Sequence, residues 1–123
     1  MGATKELRPV GIIGGLSWES SAEYYRIMNR EAALRRGGLS SARILMSSVD
    51  FSFYADAMAS GRWEDIRSAL TAEALRLRRA GAEALVIATN TMHRFAAELE
   101  GATDLPVLHI ADATARAILT GSE

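Results

Sequence analysis

The period of the apolar positions changes repeatedly along the chain, and each change marks an element. Val10-Gly11-Ile12-Ile13 is a short unbroken apolar run bounded by Pro9 and Gly14-Gly15, the pattern of a buried strand that stops at a glycine turn. From Ser17, a candidate N-cap with Glu19 and Ser20 close behind, Tyr24, Ile27, Met28 and Leu34 recur at near-helical spacing until Gly37-Gly38, which predicts a helix between those limits. Ala42 to Val49 reads as a second strand with Asp50 at its carboxyl end. After a short connection holding Phe51, Phe53 and Tyr54, the run from Trp63 to Ala80 places Ile66, Leu70, Ala74, Leu77 and Ala80 on one helical face, with Gly81 as its stop.

Ala84-Leu85-Val86-Ile87-Ala88 is the strongest buried-strand signal, and it leads into the polar run Thr89-Asn90-Thr91 and a helical stretch from Met92 to about Leu99. Pro106-Val107-Leu108-His109-Ile110 offers a fourth strand, and Asp112 is placed to cap a final helix through Ala117 and Ile118. Regular alternation of strand and helix predicts an α/β fold: a three-layer sandwich with a central, mainly parallel four-stranded sheet and helices on both faces. A single domain spanning residues 1–123 is expected, since the chain is long enough for one compact core and has no linker-like stretch. In such sheets the loops beyond the strand carboxyl ends share one edge, so 14–20, Asp50 and 89–93 should converge there.

Charge and composition narrow the partners. Fourteen basic and fifteen acidic side chains are interspersed, for a net charge of -1, so no basic face stands out to attract nucleic acid or anionic lipid. Cysteine is absent, which excludes disulfides, thiolate metal sites and cysteine nucleophiles in this chain. No apolar run is long enough to span a membrane and none follows Lys5 and Arg8, so a soluble, cytoplasmic protein is expected.

The converging residues set the chemistry. Thr89, Asn90 and Thr91 supply two hydroxyls, a side-chain amide and backbone N–H groups at a helix start, a favourable setting for a carboxylate or phosphate; the plainer role is that Asn90 or Thr91 caps the helix. Gly14-Gly15 would let a ligand approach the backbone or simply form a tight turn. No third glycine completes a dinucleotide fingerprint and no Gly-Lys-Ser/Thr follows, so both nucleotide readings fail. His93, one turn into its helix, is a candidate acid or base or a hydrogen-bonded structural residue. His109, within a strand, reads as structural. Neither histidine has zinc-site spacing to other ligands, and no metal is expected. Trp18 and Trp63 read as packing residues, Glu19 as a helix N-terminal charge, and the arginines at 35, 36, 76, 78 and 79 as solvated charges at helix ends.

Taken together, GIIGGLSWESSAEYYRIMN, GGLSSA, SVDF and AGAEALVIATNTMH, continued by LPVLHIADATARAI, resemble the aspartate/glutamate racemase family in order and spacing. The resemblance runs from Val10 to Ile118, and it is the combination of GGLSWES with TNTMH that makes it specific. It implies a cofactor-free, PLP-independent α/β enzyme of two related lobes facing each other across a cleft for an acidic amino acid, aspartate or glutamate. This chain corresponds to the N-terminal lobe, with the second lobe expected to be absent.

The implied chemistry removes the α-proton with one cysteine thiolate and returns a proton from the opposite face with a second cysteine, one from each lobe. The position that the resemblance assigns to the first cysteine, just before TNTMH, is Ala88, and an alanine methyl cannot exchange a proton. Matching positions carry over Gly15, Ser17, Trp18, Asp50, Thr89, Asn90 and Thr91 as substrate-side residues, with His93 as a substitute acid or base. Ser40 in GGLSSA is a second departure, because the family more commonly has histidine there. A catalytically impaired racemase lobe that forms a homodimer is the resulting expectation; the alternative is a non-catalytic binding or interaction protein on a racemase scaffold.

Overall fold

A computed structural model describes residues 7–109. In chain order they form β1 (Val10–Gly14), α1 (Trp18–Arg36), β2 (Ile44–Ser48), α2 (Phe51–Ala59), α3 (Trp63–Arg79), β3 (Ala84–Ile87), a 3-10 turn (Thr91–Phe95), α4 (Ala96–Thr103) and β4 (Val107–Leu108). The strands make one all-parallel sheet in the order β2-β1-β3-β4. Ile13 stands opposite both Ser47 and Ile87, and Val86 opposite Leu108.

Strand order decides the layers. The step from β1 to β2 runs one way along the sheet and the next two steps run the other way, so right-handed crossovers place α1 on one face and α2, α3 and α4 on the other. The two-residue period of the strands supplies a core to each face. Ile13, Leu85 and Ile87 pack with Ile66, Leu70, Leu77 and Leu99, whereas Val10, Ile12, Val86 and Ala88 pack with Met28 and Ala32 of α1. This is the expected three-layer α/β sandwich. All of β1 and β3 is buried, and truncating a side chain as enclosed as Leu70 to alanine would cost about 2–5 kcal/mol.

Several boundaries differ from expectation for identifiable reasons. Residues 51–59 are not a bare connection but the helix α2, started by Asp50, whose Oδ1 accepts the Ser52 N–H at 3.0 Å. Only Tyr54 and Ala57 of that helix are buried, so nine residues carry too little apolar periodicity to be seen. Strand β2 begins at Ile44 rather than Ala42, because the Ala42 N–H donates to Asn29 Oδ1 of α1 at 2.9 Å. Ser17 does cap α1, accepting the Ser20 N–H at 3.5 Å. Leu34 and Ala80 lie outside the buried helix faces to which their spacing assigned them. Trp18 was expected to pack and is instead 69% exposed, while Trp63 packs against the α2–α4 core. The stretch from Met92 divides into the 3-10 turn and α4, and the expected helix after Asp112 lies outside the described residues.

Candidate functional site

The exit of β1 is built from glycine and serine. Gly15 has φ of +83°, and a Cβ there would lie 2.5 Å from the backbone nitrogen of Val49, so both the left-handed backbone and the space require glycine. Neighbouring exits are tied to it: the Val49 N–H donates to Gly14 O at 2.9 Å, and the Ala88 N–H donates to Ile13 O at 3.0 Å. Behind the turn, buried Ser21 of α1 accepts the Gly15 N–H at 2.8 Å and donates to Ser17 O at 3.3 Å. A Cβ on Gly14 would sit 2.5 Å from Ser21 Oγ, so the second glycine is what lets the helix close on the strand. Ser17 is half-buried and Trp18 opens α1 toward solvent.

Asp50 leaves β2 at the same edge, exposed, with one carboxylate oxygen already engaged as the α2 cap. The exit of β3 is different. Ala88 is fully buried, with its methyl among the residues of the α1-face core, and accessible surface begins at half-exposed Thr89 and continues through exposed Asn90 and Thr91. Asn90 occupies the cap position of the 3-10 turn in a helical conformation (φ -68°, ψ -36°) and makes no side-chain cap hydrogen bond. The simple capping role open to Asn90 is therefore not the one it plays here.

A 3-10 helix has about three residues per turn, so residues three apart eclipse, and this one presents three distinct rows. Met92 and Phe95 are buried in the core. Thr91 shares a row with Arg94, whose guanidinium lies over the Trp63 ring at 4.2 Å from its centroid, a cation–π contact between the turn and the first residue of α3. Asn90 shares the third row with His93, whose imidazole stacks on that of His109 with centroids 4.5 Å apart and planes 2° from parallel. Burial, and secondarily the charge of His109, hold the His93 pKa below the ordinary histidine value.

His109 stands just beyond β4, exposed, at the same edge as the other loops, and not inside a strand. Its position after an apolar strand was the available signal, because every other candidate was found at such an exit. Thus Gly15, Ser17, Trp18, Asp50, Ala88, Thr89, Asn90, Thr91 and His93 all fall at the carboxyl edge, and His109 joins them. Among the described residues no group of three or more His, Cys, Asp or Glu side chains comes together as a metal cluster, and no helix is long and apolar enough to cross a membrane.

The sheet is all-parallel and its order reverses between β1 and β3, with a glycine turn on one side of that crevice and the Thr89-Asn90-Thr91 run on the other, the place where open α/β sheets usually present ligand-binding groups. The chain belongs to the Asp/Glu/hydantoin racemase family, whose model matches residues 13–122. It is similar to a Yersinia pestis protein classed with the Asp/Glu racemases, at 47% identity and a TM-score of 0.82 over 89% of this chain and 47% of that one. It is also similar to an aspartate racemase homologue from Pyrococcus horikoshii, at 29% identity and a TM-score of 0.73 over 92% of this chain and 49% of that one. The chain therefore spans about half the length of both solved relatives.

Proposed function

We propose that this chain is the N-terminal lobe of a cofactor-independent racemase that takes aspartate or glutamate, and that it holds the amino acid without racemising it by itself. The observation that carries this reading is Ala88, a side chain with no exchangeable proton, at the place the resemblance reserves for a thiol and one residue before the free Thr89-Asn90-Thr91 donors. Those donors suit a carboxylate, and Gly15, Ser17, Trp18 and the Asp50 carboxylate complete the edge, the last with a charge that complements an ammonium group. Thr89 is a poor base, since an alkoxide is far costlier to form near neutral pH than a thiolate. His93, whose pKa is held down by its surroundings, is the candidate proton acceptor nearest in sequence to that turn. A homodimer is proposed as the assembly.

The test is α-proton exchange: the chain is incubated in D2O with L-aspartate or L-glutamate while the α-proton signal is followed by NMR, alongside amide shifts of the 89–91 turn. Shifts at that turn without exchange are expected. Exchange above the protein-free control would overturn the silent-lobe reading, and absence of any shift with either amino acid would overturn the binding reading. A second reading, an interaction module without a ligand, draws on Trp18, Phe51 and Phe53, exposed by 69%, 40% and 42% in the first turns of α1 and α2. The variant Ala88→Cys with a complementary second lobe supplied separates the two, because racemisation returns only under the first.

A further inference from the structure

We infer that the stacked pair His93 and His109 is a proton-sensitive latch that ties the Thr89-Asn90-Thr91 turn to the end of β4 near neutral pH and lets it go on acidification. Two register pairs, Leu85 with Val107 and Val86 with Leu108, join β3 to β4. Beyond them the two exits diverge, β3 into the 3-10 turn and β4 into His109, and the parallel imidazoles at 4.5 Å bridge the divergence. Because His93 eclipses Asn90 on the turn, a displacement of its ring is carried directly to the polar run.

Proton affinity decides when the bridge holds. Two neutral rings, or one neutral and one charged, stack favourably, whereas two imidazolium rings at this separation repel. Among the described residues the surrounding elements do not offset that repulsion. On the turn itself Arg94 adds another cation, directed onto Trp63. On α4 the Glu100 carboxylate is engaged by the Val107 N–H at 2.9 Å and Glu98 is exposed; at the start of α3, Glu64 pairs with Arg67 and Asp65 with Arg62.

His93 is opposed in taking a proton first by its burial and then by charge on the stacked His109 ring. A histidine whose folded-state pKa is lowered binds fewer protons than in the unfolded chain, so the latched arrangement is fully favoured above the ordinary histidine value of 6.5 and is lost as the pH falls through and below it.

The inference needs no ligand and stands or falls apart from the racemase reading. Imidazole and backbone amide resonances are followed by NMR from about pH 8 to about pH 5 in the wild-type chain and in His109→Phe, which keeps an aromatic partner and removes the second charge. In the wild type the His93 midpoint is expected below the ordinary histidine value, with the 89–91 amides moving in step with it. In His109→Phe the His93 midpoint should rise and the 89–91 amides should hold their positions to lower pH. An unchanged His93 midpoint, or the same amide movement in both proteins, would overturn the latch. Unmoved amides of β1 and β3 in the variant establish that the fold is intact.

Discussion

The exits of β1 and β3 lie side by side at the centre of the sheet and are built in opposite ways. At β1 the turn is tied down by its own polar groups: Gly15 N–H to Ser21, Gly14 O to Val49, Ser17 Oγ to Ser20 N–H. At β3 the backbone leaves the ladder after Ala88, and Asn90 stands in a cap position with no side-chain cap bond. The first loop is thus a joint whose serines and glycines are spent on structure, and the second is a platform whose side-chain donors have no hydrogen-bond partner among the described residues. Residues at a shared edge of a parallel sheet need not share a role, even when one family motif contains them both.

Substitutions should separate joint from platform, beginning with the largest effect. Gly15→Ala forces a side chain into left-handed backbone and against Val49, so a loss of about 3 kcal/mol or more, or failure to fold, is expected in urea denaturation; a wild-type midpoint would erase the contrast. Ser21→Ala strands the buried Gly15 N–H and should cost about 1–3 kcal/mol by the same measurement. Ser17→Ala removes a long cap bond and should cost about 0.5–1 kcal/mol. On the platform side, Asn90→Ala and Thr91→Ala should stay within about 0.5 kcal/mol of wild type while abolishing the amide shifts expected at the turn on adding aspartate. Destabilisation comparable to Ser21→Ala would show that those side chains are structural after all.

Much of this arrangement was legible from residue order. Apolar runs as compact as Val10–Ile13 and Ala84–Ala88 read as buried strands because a strand covered on both faces has no polar positions to confuse the pattern, and the parallel sheet followed from their alternation with helices. What could not be read depended on contacts made elsewhere. Helix α2 buries only two side chains and presents Phe51 and Phe53 to solvent, so its aromatic content carried no phase. Trp18 looked like a packing residue because of its size, but as the first residue of α1 it projects from the edge. Asp50 was legible as a residue at a strand exit, though its bond to Ser52 could not be seen without the helix it begins. His109 was assigned to the interior of a strand that turns out to be two residues long, and that brevity is what frees it to meet His93.

The burial of β1 along its whole length, between β2 and β3, has a consequence for how the molecule breathes. Segments flanked on both sides by ladder hydrogen bonds and covered by side chains above and below open only in the rarest fluctuations, while edges and short ladders open at low free energy. Amide hydrogens of Ile12 and Ile13 should therefore exchange with solvent at rates close to those set by global unfolding, and those near the two-residue β4 far sooner. The exits of β2 and β3 are both bonded to β1, the slowest-opening part of the sheet, so the turn after β3 has a fixed floor against which to move.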